Sequence, residues 1–175
     1  IRGRLFERVR AQVFGLELRI RNTTFATVNH ELPTVSVIIP VHPHKTVVKS
    51  AAAARQFDYP REKLDITVVR TTDLSIGPGI KRNAALNAVR GELVYMLDDD
   101  SVGPPDILRR AVKHFTDPKV KMVGGPNVCP PDAPPLEQAL GLVLSSWLAF
   151  GPSRARYRPV GKLRATSEKE LISCN

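Results

Sequence analysis

Between residues 32 and 123 the apolar positions switch repeatedly between short continuous runs and helical stripes. Val35-Ser36-Val37-Ile38-Ile39-Pro40 is a β-rich run closed by proline, and residues 46–56, with alanine at each position from 51 to 54, favour a helix. The alternation then repeats. Residues 65–69 predict a second strand, 80–89 a second helix, 93–97 a third strand, 107–115 a third helix and 119–123 a fourth strand. Strands that are apolar throughout are buried on both faces, and helices between them serve as crossovers. The pattern therefore predicts an α/β domain with a mainly parallel sheet in a three-layer α/β/α sandwich.

The flanks read differently. In residues 2–21, Leu5, Val9, Val13, Leu16 and Ile20 recur at helical spacing against a face rich in arginine. This predicts an N-terminal amphipathic helix, docked on the protein itself or lying at an anionic membrane surface. A polar stretch, 22–31, follows it, so the chain divides into a helix with linker, 1–31, and an α/β domain, 32–175. After Gly124 prolines punctuate a loop, residues 136–148 read as a helix, and 151–164 form a basic, proline-broken segment expected to face substrate.

Charge sharpens this picture. The formal net charge is +9 over 175 residues, with arginines crowded at both ends of the chain. Such patches favour phosphate-bearing partners without choosing among nucleotide, nucleic acid and anionic lipid. Aromatics are only 6% and none is interleaved with the arginines, which disfavours a nucleic-acid binder. Cys129 and Cys174 supply no CxxC or Cys/His spacing, so neither a disulfide framework nor a zinc site is predicted, and a reducing, cytoplasmic compartment is expected. The apolar stretch 139–150 is shorter than the roughly 18 to 20 residues of a spanning helix, so no transmembrane segment is expected. The chain starts at Ile1 without methionine and stops straight after an apolar segment, as a piece of a longer protein would.

The candidate chemistry lies where the third predicted strand ends. Asp98-Asp99-Asp100 follows Leu93-Val94-Tyr95-Met96-Leu97, which places acidic groups at the carboxyl end of a buried strand, where open α/β sheets bind ligands. Hard oxygens at alternate positions, Asp98 and Asp100, suit Mg²⁺ or Mn²⁺ with water and a diphosphate completing the shell. Asp and Ser are also common turn and cap residues for hydrogen-bonding reasons alone. Gly77-Pro78-Gly79 opens the second helix toward an anion, and Arg82 and Asn83 add polar reach at the same edge. The four histidines show no metal-ligand spacing and Ser145-Ser146 no nucleophile elbow, so nucleophilic hydrolysis is disfavoured.

Taken in order, Val35 to Pro40, then Gly79-Ile80-Lys81-Arg82-Asn83-Ala84-Ala85, then Gly91-Glu92 through Asp100 with Pro105-Asp106, resemble family 2 glycosyltransferases of the GT-A fold. The resemblance implies a nucleotide-sugar donor on a Rossmann-like sheet, with a DxD motif, here Asp98 and Asp100 around Asp99, holding Mg²⁺ or Mn²⁺ against the donor diphosphate. It implies donor contacts from Pro40, His42, Asp73, Arg82, Asn83, Asp98 and Asp99, and inverting transfer to a carbohydrate or lipid-linked acceptor. Two departures stand out. Pro40-Val41-His42-Pro43 replaces the usual Pro-x-Tyr/Phe-Asn, and Arg70-Thr71-Thr72-Asp73 replaces Asp-Asp-Gly-Ser, so Asp73 is expected to read the base from a shifted position. The family's catalytic carboxylate follows a stretch like Leu171 to Asn175, so the base is expected beyond Asn175 rather than at Glu168 or Glu170, and the chain alone is expected to transfer sugar poorly. A nucleotidyltransferase, or a basic module binding nucleic acid or anionic membrane, are the rival readings.

Overall fold

A computed structural model of the chain describes residues 32–160 and 163–165. The predicted amphipathic helix over 2–21 and the carboxylates Glu168 and Glu170 lie outside these residues. Three strands form one parallel sheet: β1 (Val35–Pro40), β2 (Leu64–Val69) and β3 (Leu93–Met96), in the order β2-β1-β3. Strand β1 is buried at every residue, as its unbroken apolar run requires. Its register sets Val35 against Leu64 on one side and Leu93 on the other. Hydrogen bonds from Val41 N–H to the Val69 carbonyl (2.9 Å) and from Leu97 N–H to the Ile38 carbonyl (3.0 Å) extend the pairing on both sides. The chain therefore stays pinned until the residues immediately before His42 and Asp98.

The helices fall on opposite faces. Residues 35, 37, 39 and 41 pack in one cluster with Ala51 and Ala54 of α1 (Lys49–Ala54), Phe57, Tyr59, and Leu108 and Val112 of α3 (Ile107–Val112). The alternate residues Ser36 and Ile38 turn to the other face, where α2 (Pro78–Leu86) buries Lys81 and Ala85. The reason is topological. Right-handed crossovers that run in opposite directions along the sheet, from β1 to β2 through α1 and from β2 back across β1 to β3 through α2, must lay their helices on opposite faces. The result is the α/β/α sandwich of a GT-A-like domain, and its switch point lies between the carboxyl ends of β1 and β2.

The strand expected over 119–123 does not form; these residues run as irregular chain. Lys119 and Lys121 alternate with only two valines and Met122, and Met122 and Lys121 are exposed, so the segment has little apolar surface to pair into a sheet. The helix expected over 136–148 divides into α4 (Pro135–Ser145) and α5 (Trp147–Phe150), because the Ser146 backbone turns extended and its Oγ caps α5 by accepting from Ala149 N–H at 3.1 Å. Neither helix contains a buried residue.

One glycine fixes how β3 enters the sheet. A Cβ on Gly91 would lie 2.5 Å from the Ser36 nitrogen and 2.8 Å from the Val35 carbonyl carbon, both backbone atoms. The close approach lets Gly91 N–H donate to the buried Ser36 hydroxyl at 2.9 Å, satisfying a polar group inside β1. Gly91→Ala is expected to cost about 1–3 kcal/mol in a denaturant melt, as overpacking against rigid atoms does.

Candidate functional site

The carboxyl edge of the sheet gathers three loops. The loop after β1 carries His42, Pro43, His44 and Lys45; the loop after β2 carries Arg70, Thr71, Thr72 and Asp73; the turn after β3 carries Asp98, Asp99 and Asp100. His42, Pro43, Arg70, Thr71 and Thr72 line a shallow cleft of about 260 Å³. It sits at the switch point between β1 and β2, where an open α/β sheet leaves a crevice. The Arg70 guanidinium donates to the Lys45 carbonyl at 2.9 Å and so ties the two cleft walls together.

The acidic turn stands beside this cleft. Asp98 pairs with Arg82, which reaches across from α2. Asp99 accepts the His42 backbone N–H at 2.8 Å and the Lys45 ammonium at 2.5 Å. Lys45 also lies 3.6 Å from Asp100, whose side chain is 72% exposed. Three carboxylates thus face two cations, leaving a formal charge of −1 that a bound cation would reverse. Lys45 was not anticipated from the sequence; a lysine in a proline- and histidine-rich loop gives no local sign that it will meet a turn more than fifty residues away.

The adjacent carboxylates are held in opposite directions. Burial pushes Asp98 above the ordinary carboxylate range, helped by the neighbouring Asp100 and Asp99 charges and only partly offset by Arg82. Burial also opposes ionisation of Asp99, but there the Lys45 ammonium and the His42 N–H outweigh it and hold the group below that range. Lys45 is raised in turn, chiefly by its hydrogen bond to Asp99. A depressed carboxylate contributes stability above its unfolded pKa and loses it as pH falls through the folded one, so Asp99 supports the fold at neutral pH. Lys45 is partly exposed, which keeps that contribution small. A carboxyl ¹³C titration is expected to place the Asp99 midpoint below that of Asp98.

The other predicted donor residues are distributed around this core. Pro40 is buried at the end of β1, opposite Val69, and Asn83 is exposed on α2. His42 is exposed, and its ring lies 5.4 Å from that of His44. The Asp73 Oδ1 is engaged in its own turn: it accepts the Ser75 N–H at 2.8 Å and the Ser75 hydroxyl at 2.6 Å, and Asp73 is not among the residues lining the cleft. Those bonds hold it below its ordinary pKa. In the basic segment, Arg154 sits over the Trp147 ring, 5.3 Å from its centroid.

Against known families, residues 14–145 match the model of glycosyltransferase like family 2. The match covers well over half of the chain. The chain belongs to that family. No curated protein matches it. Family 2 membership makes this a glycosyltransferase domain and implies a nucleotide-sugar donor and an acceptor. In the family 2 domain the matched region contains all three strands, the switch-point cleft and the acidic turn.

For a divalent cation, the donor set is the test. Among the described residues no group of three histidine, cysteine or acidic side chains converges on one point. What the turn offers is the oxygen of Asp98 and of Asp100. Of these, Asp98 is paired with Arg82 and Asp100 is the more exposed; a hard cation such as Mg²⁺ characteristically takes one or two carboxylates and fills its shell with water and substrate phosphates.

Proposed function

We propose that this domain binds a nucleotide-sugar donor at the carboxyl edge of its sheet and transfers the sugar, with inversion, to a carbohydrate or lipid-linked acceptor. The observation that carries the reading is the placement of the acidic turn beside the β1/β2 crevice, with Arg82 and Lys45 already present as cations. The base of the donor lies in the cleft against Pro43, Arg70, Thr71 and Thr72. Its diphosphate lies toward the turn, where Asp98 and Asp100 hold Mg²⁺ or Mn²⁺. Bound there, the cation would neutralise the leaving diphosphate. Arg82 shares that task through charge-assisted hydrogen bonds to phosphate oxygens.

The bond between the anomeric carbon and the diphosphate oxygen breaks, and its electron pair leaves with the diphosphate. The acceptor oxygen attacks the opposite face of the sugar, and a general base takes its proton. A thermal-shift panel of nucleotide sugars, with and without Mn²⁺, tests this. Stabilisation by at least one nucleotide sugar that requires the metal is expected, whereas a response to nucleoside triphosphates alone would favour nucleotidyl transfer.

The proposal extends to location. Among the described residues no helix is long and apolar enough to cross a membrane. The arginine-rich stripe of residues 2–21 suits a peripheral position at the anionic inner face of a cell membrane, where a lipid-linked acceptor would be reached from the cytoplasm. Basic residues near such a surface contribute about 1 kcal/mol each and are screened by salt. Removal of residues 1–31 is therefore expected to abolish sedimentation with phosphatidylserine vesicles at low salt; equal sedimentation of both forms would assign the segment to docking on the protein.

A further inference from the structure

Lys81 is 5% exposed, yet nothing in the proposed reaction uses it. It lies on α2 next to Arg82, and its ammonium donates to the Val41 carbonyl at 2.7 Å. That carbonyl belongs to the same peptide unit as the His42 N–H, which donates to Asp99 at 2.8 Å. One peptide plane therefore has a buried cation on its oxygen and a carboxylate of the acidic turn on its nitrogen. Val41 N–H, in the preceding peptide unit, is itself fixed to the Val69 carbonyl at 2.9 Å, so the peptides on both sides of the Val41 Cα are held.

We propose that Lys81 is a positioning residue for the acidic turn, acting on Asp99 through the Val41–His42 peptide. A buried charge is costly unless it is compensated, and a methionine of similar length would fill the same space without that cost. Packing alone therefore gives no reason for an ammonium here. Hydrogen bonds in series polarise one another, so a cation on the carbonyl strengthens the N–H that grips Asp99. Asp99 stands between Asp98 and Asp100, so a hold on it constrains the turn that carries both. The proposal rests on the reading of Asp98 and Asp100 as cation ligands only for its effect on metal affinity.

The test has two independent arms. In the unmodified chain, the Lys81 ammonium is expected to give a slowly exchanging NMR resonance at low temperature, distinct from exposed lysines; exchange as fast as theirs would overturn the proposal without any variant. Lys81→Met is then expected to move the His42 amide upfield in the direction that Asp99→Asn moves it, and to weaken Mn²⁺ binding, measured with MnCl₂ alone, about 10- to 100-fold, as loss of an outer-shell partner does. An unmoved His42 amide in folded Lys81→Met would sink the proposal. A shifted amide with no Mn²⁺ binding even in the parent would leave Lys81 as the clamp on Asp99 and contradict the metal reading instead.

Discussion

Replacing Asp98 and Asp100 together with asparagine is expected to remove Mn²⁺-dependent nucleotide binding while the melting transition stays in place. The two side chains are 23% and 72% exposed, so neither belongs to the core. Asparagine keeps an oxygen that can accept from Arg82, so that guanidinium is not stranded. What disappears is charge. Charge-assisted contacts are worth about 1.5–3 kcal/mol each, and losing two corresponds to a fall of at least about 100-fold in affinity. Calorimetry with Mn²⁺ and the nucleoside diphosphate found in the panel measures it. Parent-like affinity would remove these residues from the metal site, and a collapsed melting temperature would return the triplet to a structural turn.

Arg82→Met should produce the second largest effect, with a different signature. Arg82 is the partner of Asp98, and its side chain is 11% exposed. Methionine fills much of the volume but removes both the counter-charge of Asp98 and the fork that would reach the diphosphate. Nucleoside diphosphate affinity is expected to fall about 10- to 100-fold, on the same scale of charge-assisted contacts. Unphosphorylated nucleoside should bind as before, because the cleft residues lie on the β1 and β2 loops. Asp98, already raised by burial, loses its offsetting cation, so its titration should move further upward. Equal losses for nucleoside and diphosphate would show that Arg82 supports the fold rather than the phosphates.

The sequence made the sheet legible because apolar runs of four to six residues have one physical use when helices lie between them. The ends of β1, β2 and β3 lie within a residue or so of the expected positions, since proline, arginine and aspartate close those runs. Residues 119–123 failed for the same reason read in reverse: a short run with two lysines resembles a strand in composition but has no face to bury. The split of α4 from α5 turned on a local capping bond by Ser146, which apolar periodicity does not register.

The acidic turn stood out in the sequence because three adjacent carboxylates follow an apolar run closely, although β3 itself is only partly buried. Its counter-ions were less accessible. Arg82 was legible through its motif, but Lys45 and Lys81 meet the site only through tertiary contacts across 40 residues or more. Asp73 shows the opposite limit. Its position suggested the base-reading carboxylate, and the folded loop spends one of its oxygens on Ser75, which the sequence did not signal. Sequence distance from a motif does not report where a side chain's hydrogen bonds are spent.

The central claim is that the turn after β3 binds the donor's diphosphate through a divalent cation. Mn²⁺ electron paramagnetic resonance with the nucleoside diphosphate carrying ¹⁷O on its β-phosphate tests it most directly. The account predicts a protein-bound Mn²⁺ signal that appears with the nucleotide, broadens with the ¹⁷O label and is absent from the Asp98→Asn, Asp100→Asn double variant. A Mn²⁺ signal that stays that of the free ion in the parent, while the nucleotide binds equally well in EDTA, would contradict it.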